Sequence, residues 1–104
     1  MRITVLELIQ SDVAFSSEMG QRVRDAYGDT WRGEIVELDF TGIRNVSPSF
    51  LSQATMPLLQ AFDVNTIQNH LKFTSAPQSL GLIWEKILSA VRAQKTDDAS
   101  QVAR

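Results

Sequence analysis

The sequence contains no cysteine and only one histidine, and these shortages exclude several kinds of chemistry. Without thiols the chain has no disulfide framework, no thiolate metal site and no cysteine nucleophile. With His70 as the single imidazole, a metal site built on two histidines is excluded, and a Ser-His-Asp triad has little support. We therefore predict a protein that is not an enzyme and that uses no cofactor or metal.

The chain also lacks an excess of charge of either sign and any long apolar run. Ten Lys and Arg against twelve Asp and Glu leave a net charge of -2, which provides no field to attract phosphate backbones or anionic lipid. The aliphatic residues 3–9 are too few, and too interrupted by Glu7, for a secretory signal or a transmembrane helix. We therefore expect a cytoplasmic protein, with neither nucleic acid nor membrane as a partner.

Glycine is scarce, and the five glycines stand apart from one another. Because no glycine-rich phosphate loop is present, nucleotide binding has no support. Hydrophobic residues make up 43% of the 104 residues and charged residues 21%, which is typical of one domain with a single core. We predict a domain over residues 1–94. A flexible polar tail is predicted over residues 95–104, where Val102 is the only large apolar residue.

The first half of the chain has the pattern of a strand, a helix and a second strand. Residues 3–9 are aliphatic and β-branched, as in a buried strand, and residues 34–40 alternate polar and apolar side chains. Between them, apolar residues follow helical spacing up to Gly28. Such a βαβ unit normally places its two strands parallel, with a right-handed connection. The apolar stripe predicted for this helix consists of Phe15, Met19, Val23, Ala26 and Tyr27.

The second half predicts two more helices and a short strand. Ser47 followed by Pro48 is typical of a helix start, because the serine caps free backbone N–H groups and proline needs no partner at the first helical position. Pro57 should kink that helix, or end it so that it restarts. Residues 70–74 alternate as an edge strand does, and a final helix should end near Ala93. We therefore predict an α/β fold with a sheet of three to four strands and about three helices packed on it.

The most informative segment joins the second strand to the next helix. It reads Asp39-Phe40 at the strand end, Gly42 in the loop and Ser47-Pro48-Ser49-Phe50 at the helix start. Across residues 38–51 the chain resembles the STAS domains of bacterial anti-sigma factor antagonists, and more closely STAS-like proteins with an Asp-Phe strand end and a Ser-Pro-Ser-Phe helix start. In element order the resemblance extends over residues 3–62. It implies a small STAS-like domain that acts in bacterial signalling and transcription regulation.

The resemblance also implies a partner and a switch. The chain would bind a regulatory protein, an ATPase of the histidine-kinase-like fold, through residues 39–51. Ser49 falls on the serine that anti-sigma kinases phosphorylate, so Ser49 is the candidate phosphoacceptor. Ser47, Pro48 and Phe50 replace the aspartate, the first serine and the glycine of that motif. The predicted partner-binding residues are Asp39, Arg44, Asn45, Ser47 and Ser49.

Local structure offers a second explanation for several of these residues. Ser47 is expected to cap the helix, which leaves Ser49 as a surface residue of its first turn. Asp39 is expected to accept hydrogen bonds from the turn at Thr41-Gly42, and Gly42 to adopt a positive φ. For Ser47 this structural explanation is compatible with partner binding. For Ser49 the structural explanation, a plain surface residue, competes with the functional one, a phosphoacceptor.

Other functions are weighed against the binding module. An enzyme that uses Ser47 or Ser49 as its nucleophile lacks a base in evident reach. The main alternative is a scaffold or oligomerisation module without a phospho-switch. In that case the edge strand at 70–74, Trp31 or the last helix would contact a neighbour, and the sequence leaves a homodimer open.

Overall fold

Short parallel strands and helices follow one another along the chain. The computed structural model describes the backbone of residues 1–102 and the side chains of residues 1–93. The flexible tail predicted over residues 95–104 lies outside the residues described with their side chains. The strands are β1 (Arg2–Thr4), β2 (Val13–Ala14), β3 (Val36–Asp39), β4 (Asn45–Val46) and β5 (Leu71–Thr74), and the helices are α1 (Val5–Ile9), α2 (Ser17–Tyr27), α3 (Pro48–Ala61), α4 (Val64–His70) and α5 (Gln78–Val102).

Every strand pair in the described part of the chain is parallel. β1, β3 and β5 form a three-stranded sheet in the order β1-β3-β5, while β2 and β4 form a separate two-stranded ribbon. Parallel neighbours need a crossover connection, and the segment with α2 supplies it between β1 and β3. The predicted α/β class and parallel βαβ unit are therefore confirmed, and β5 is an edge strand as predicted.

The three-stranded sheet has one apolar and one polar face, because successive side chains of a strand point to opposite sides. Phe40 packs edge-to-face on Phe50 of α3, and Phe73 of β5 packs likewise on Trp84 of α5, with ring centroids 6.3 and 5.1 Å apart. The core therefore extends from the sheet to these two helices, and buried residues of α1, α2 and α4 belong to the same cluster. The opposite face carries side chains at matching positions of the three strands: Arg2, Thr4, Glu37, Asp39, Lys72 and Thr74.

The single strand predicted over residues 3–9 is wrong after its second residue, because the chain turns there into α1. Val5 and Ile9 lie four residues apart, so both side chains lie on one side of this helix, where they are buried. α1 ends at Ile9 and is capped by Gln10, which has a left-handed φ of 52° and donates its N–H to Leu6 O at 2.9 Å. A short aliphatic run fits a buried strand and a buried helix equally, so the pattern alone did not separate them.

α2 starts later than its predicted apolar stripe. The side-chain oxygen of Ser16 caps the helix, so Phe15 precedes it and is 51% exposed. Ala26 is exposed as well, and the prediction that both residues are buried is wrong. The packing contact is made at Gly20 instead, where a Cβ would lie 2.9 Å from Gln53 Cβ. Because glycine has no side chain, the backbones of α2 and α3 approach closely at this point.

α3 continues through Pro57 to Ala61, so the predicted interruption does not end the helix. Proline removes the N–H that would bond to the carbonyl four residues earlier. One residue further along, α2 provides a donor, because the Tyr27 hydroxyl donates to Ala54 O at 2.5 Å. Tyr27 is 1% exposed, and this burial raises the pKa of its hydroxyl. The two helices are thus joined by a buried hydrogen bond as well as by the contact at Gly20.

The described part of the chain contains five α-helices, where about three were expected. α1 and α4 were not predicted, and His70 closes α4 rather than opening the strand.

Trp31 lies in a single 3₁₀ turn, Thr30–Arg32, and is only 4% exposed. Its ring packs edge-to-face on Phe62 at a centroid distance of 5.2 Å. Trp31 is therefore a core residue and does not offer a surface to a neighbour.

Candidate functional site

Asp39 ends β3 and is surrounded by donors from its own chain. Its Oδ1 accepts hydrogen bonds from Thr41 Oγ1 at 2.6 Å and Thr41 N at 3.0 Å, and its Oδ2 accepts one from Arg2 Nη2 at 2.8 Å. The Thr41 hydroxyl, followed by the Arg2 guanidinium, lowers the pKa of Asp39 to about 2. The residue is 6% exposed. The expected bonds to the following turn are confirmed, and they assign Asp39 to holding the loop.

The loop itself begins with a tight turn. Ile43 N donates to Phe40 O at 2.9 Å, and Gly42 has a φ of 84°. A positive φ at the third residue is typical of a type II turn, where glycine is favoured. The predicted positive φ of Gly42 is thus confirmed. A Cβ at Gly42 would also lie 2.9 Å from Leu6 Cδ2, so α1 packs directly over the turn.

Arg44 and Asn45 follow the turn and are both exposed. Arg44 N donates to Asp12 O at 2.7 Å, and Arg44 Nε donates to Asp12 Oδ2 at 2.6 Å. Asn45 Oδ1 accepts from Val46 N at 3.0 Å and from Ser79 Oγ at 2.8 Å. Two predicted partner-binding residues therefore lie on the surface, and contacts to the loop before β2 and to the start of α5 hold them in place.

Ser47 is the N-cap of α3, as predicted. Its backbone is extended (φ −100°, ψ 158°), and its Oγ accepts a hydrogen bond from Phe50 N at 3.2 Å. The same hydroxyl donates to Phe15 O, and Ser47 N donates to Ala14 O at 2.8 Å. Ser47 thus joins the start of α3 to the end of β2. The Ser47 hydroxyl thus accepts one hydrogen bond and donates another, and both hold the local structure together. To act as a nucleophile, this hydroxyl would have to break these bonds.

Ser49 occupies the first turn of α3 and is exposed. Among the described residues its hydroxyl makes no hydrogen bond, and the first turn of α3 contains no acidic residue. Free N–H groups and the helix dipole stabilise an anion at such a position by about 0.3 to 1 kcal/mol. Of the predicted site residues, Ser49 is the one whose side chain is accessible and has no partner in the described chain.

Phe15 was missed as a site residue in the sequence. α2 and α3 each follow one strand of the parallel ribbon, so they begin side by side, and Phe15 O is bonded to the Ser47 hydroxyl. The available signal was Ser16, whose capping preference places Phe15 before the helix rather than on its buried stripe. We define the helix-start surface by its exposed members: Phe15, Arg44, Asn45, Pro48 and Ser49.

Other kinds of site find no counterpart in the described residues. They contain no group of three or more His, Cys, Asp or Glu side chains arranged to hold a metal ion. None of the described helices combines the length and hydrophobicity that crossing a membrane requires. His70 Nδ1 lies 3.0 Å from Thr66 O, and its ring packs on Phe62. The imidazole is therefore engaged within the α4 region, which is no part of the helix-start surface.

Comparison with known proteins identifies the family. A family model described as a STAS-like domain of unknown function (DUF4325) matches residues 19–79, which is more than half of the chain. The chain therefore belongs to this STAS-like family. The matched range includes the turn at Gly42 and the start of α3, but not Phe15 or Arg2. No curated protein and no solved structure matches the chain.

Proposed function

We propose that this chain is a non-enzymatic regulatory module that binds a partner protein through the helix-start surface. The supporting observation is that the exposed Phe15 precedes α2 and is joined through its carbonyl oxygen to Ser47, the cap of the helix α3 whose first turn carries the exposed Ser49. Phe15 is 51% exposed, and large aromatic side chains are frequent anchors of protein interfaces. Asn45, Pro48 and Ser49 of the same surface carry no charge, and Arg44, its one charged member, is already paired with Asp12, so little unpaired charge has to be desolvated at the interface.

The loop that forms this surface is held rigidly by its own hydrogen bonds. The carboxylates of Asp39 and Asp12 and the hydroxyl of Ser47 each bond to neighbouring segments. A surface ordered before binding loses less conformational entropy when a partner docks. These contacts support a binding role more than a catalytic one, since the groups with chemical reactivity are already used in structure.

The proposed partner is an ATPase of the histidine-kinase-like fold, and the proposed switch is phosphorylation of Ser49. Both follow from the resemblance to anti-sigma factor antagonists. A phosphate on Ser49 adds close to two negative charges to the helix-start surface. That charge would be tolerated by the start of α3, but a partner seated on this surface would have to desolvate it. Phosphorylation should therefore weaken the complex.

The test is titration calorimetry of the chain with a histidine-kinase-like ATPase encoded by a neighbouring gene, with and without ATP. Phe15→Ser should weaken binding at least tenfold, on the scale of a truncated interface anchor of about 2 kcal/mol. Ile35→Ser is the matched control, because Ile35 is similarly exposed at 47% but precedes β3, whereas the surface lies beyond its other end. Equal loss in both variants, or no complex with either nucleotide state, would contradict the proposal.

The switch has its own readout in the same mixture. Incubation with ATP should add one phosphate to the wild-type chain and none to Ser49→Ala, as followed by intact-protein mass spectrometry. Ser17→Ala is the control, since Ser17 is an exposed serine in the first turn of the neighbouring helix α2. A phosphate that persists in Ser49→Ala would refute Ser49 as the acceptor while leaving the binding proposal standing.

A further inference from the structure

The polar face of the sheet carries a bonded cluster that lies outside the helix-start surface. Arg2 Nη2 donates to Asp39 Oδ2 at 2.8 Å, and Arg2 Nε lies 3.6 Å from Glu37 Oε2. The same Glu37 oxygen accepts a hydrogen bond from Thr74 Oγ1 at 2.7 Å. One guanidinium thus contacts two carboxylates, and side chains from β1, β3 and β5 are joined across the sheet.

Asp39 connects this cluster to the loop. One of its oxygens is held by Arg2, and the other accepts both hydrogen bonds from Thr41, the second residue of the turn. A charge-assisted bond from the guanidinium to one oxygen restricts rotation of the carboxylate about its own bond to Cβ. It therefore also restricts the direction in which the other oxygen accepts from Thr41. Without Arg2, Asp39 would keep its bonds to Thr41 but would have one restraint fewer on its orientation.

We propose that Arg2 is a positioning residue for the helix-start surface. Acting through Asp39 and Thr41, it fixes the conformation of residues 41–46, which carry Arg44 and Asn45. The consequence for partner binding rests on the proposed function, whereas the ordering of the loop is measured on the chain alone. Arg2 lies outside the residues that the family model matches, so this role is an inference from contacts in this chain.

Hydrogen exchange by NMR tests the inference without a partner. In Arg2→Gln the amides of Thr41 and Ile43 should exchange about two- to fivefold faster at neutral pH, the effect expected when the ion pair of a mostly exposed arginine is lost. Buried amides of α2 and α3 should keep their rates. Arg22→Gln is the matched control, because Arg22 is similarly exposed but, among the residues described with side chains, pairs with Glu18 alone, one turn away on α2. Unchanged exchange at Thr41 and Ile43 would overturn the inference.

A pH profile separates positioning from general support of the fold. In the wild type the Thr41 amide shift should follow the low pKa of Asp39, about 2. In Arg2→Gln the inflection should rise toward the ordinary value of about 3.9 without reaching it, because the Thr41 bonds remain. Glu37 and Lys72 are the other charged groups at neighbouring positions of this face. The Thr41 amide shift should therefore have its inflection at a lower pH in Glu37→Gln than in Arg2→Gln. An inflection at a higher pH in Glu37→Gln would refute the role of Arg2.

The two proposals fail in distinguishable ways. Arg2→Lys keeps the charge but cannot contact both carboxylates with a planar fork, so its exchange rates should lie between those of wild type and Arg2→Gln. If Arg2→Gln loosens residues 41–46 and the ATPase still binds with unchanged affinity, the part of the helix-start surface formed by Arg44 and Asn45 is not in the binding site. If the loop stays ordered in Arg2→Gln, the positioning role is wrong and the proposed function is unaffected.

Discussion

Replacing Ser47 with alanine removes two hydrogen bonds of different kinds, and their sum can be compared with a matched variant. The Ser47 hydroxyl caps α3 at Phe50 N and donates to Phe15 O. Loss of an N-cap costs about 1 kcal/mol, and loss of a further hydrogen bond about 0.5 to 1.5 kcal/mol. We therefore expect Ser47→Ala to lower the free energy of unfolding by about 2 kcal/mol.

Ser16→Ala is the matched control, because Ser16 caps α2 through Met19 N at 3.1 Å and is exposed, with no second bond of its hydroxyl among the described residues. It should cost about 1 kcal/mol. Urea denaturation followed by circular dichroism measures both values. A change of 1 kcal/mol shifts the melting temperature of a domain near this size by about 4 to 8 °C, so thermal melts should resolve the two variants.

The difference between the variants, rather than either value alone, tests the reasoning. Both variants place an alanine at the capping position of a helix, and the two helices begin side by side. The effect of alanine at a helix start therefore largely cancels when the two free energies of unfolding are compared. If Ser47→Ala costs no more than Ser16→Ala, the bond from Ser47 to Phe15 O contributes nothing to stability. The claim that Ser47 holds Phe15 in place at the surface would then be refuted.

Two other perturbations report on the groups that support this surface. Tyr27→Phe should lower the free energy of unfolding by about 1 to 3 kcal/mol in urea denaturation, because the buried Ala54 carbonyl loses the hydroxyl that bonds to it; a neutral effect would show that this carbonyl finds another donor. Asp39→Asn should flatten the acid limb of stability against pH. Since folding lowers the pKa of Asp39 to about 2, its contribution is complete above the unfolded value of about 3.9 and is lost as pH decreases toward 2. Wild type and variant with parallel acid limbs would contradict this assignment.

Local signals predicted the part of the fold that carries the site. At Ser47, Pro48 and Gly42, capping preference, fixed proline φ and glycine's freedom each act within a few residues, and the structure agrees with all three expectations. The run at residues 3–9 failed because the choice between strand and helix there depends on what buries Val5 and Ile9, which is tertiary information.

The composition of the surface could be predicted only in part for the same reason. Arg44, Asn45 and Ser49 lie on one contiguous segment, and the motif identified them. Phe15 is 32 residues from Ser47 and reaches the surface because β2 pairs with β4. Strands β2 and β4 have two residues each, which is too short to show an alternation of polar and apolar residues. The pairing of these strands could therefore not be predicted from the sequence. Arg2 was missed on similar grounds, since its contact with Asp39 depends on the register of β1 and β3.

The starts of α2 and α3 differ in a way that supports Ser49 as the proposed acceptor. Both helices are capped by serine and both present an exposed serine in the first turn, Ser17 and Ser49. Glu18 follows Ser17 directly and already complements the dipole of α2, so a phosphate on Ser17 would meet a like charge. The first turn of α3 has no acidic residue. Of two adjacent and otherwise similar helix starts, the one at Ser49 would therefore stabilise an added phosphate better.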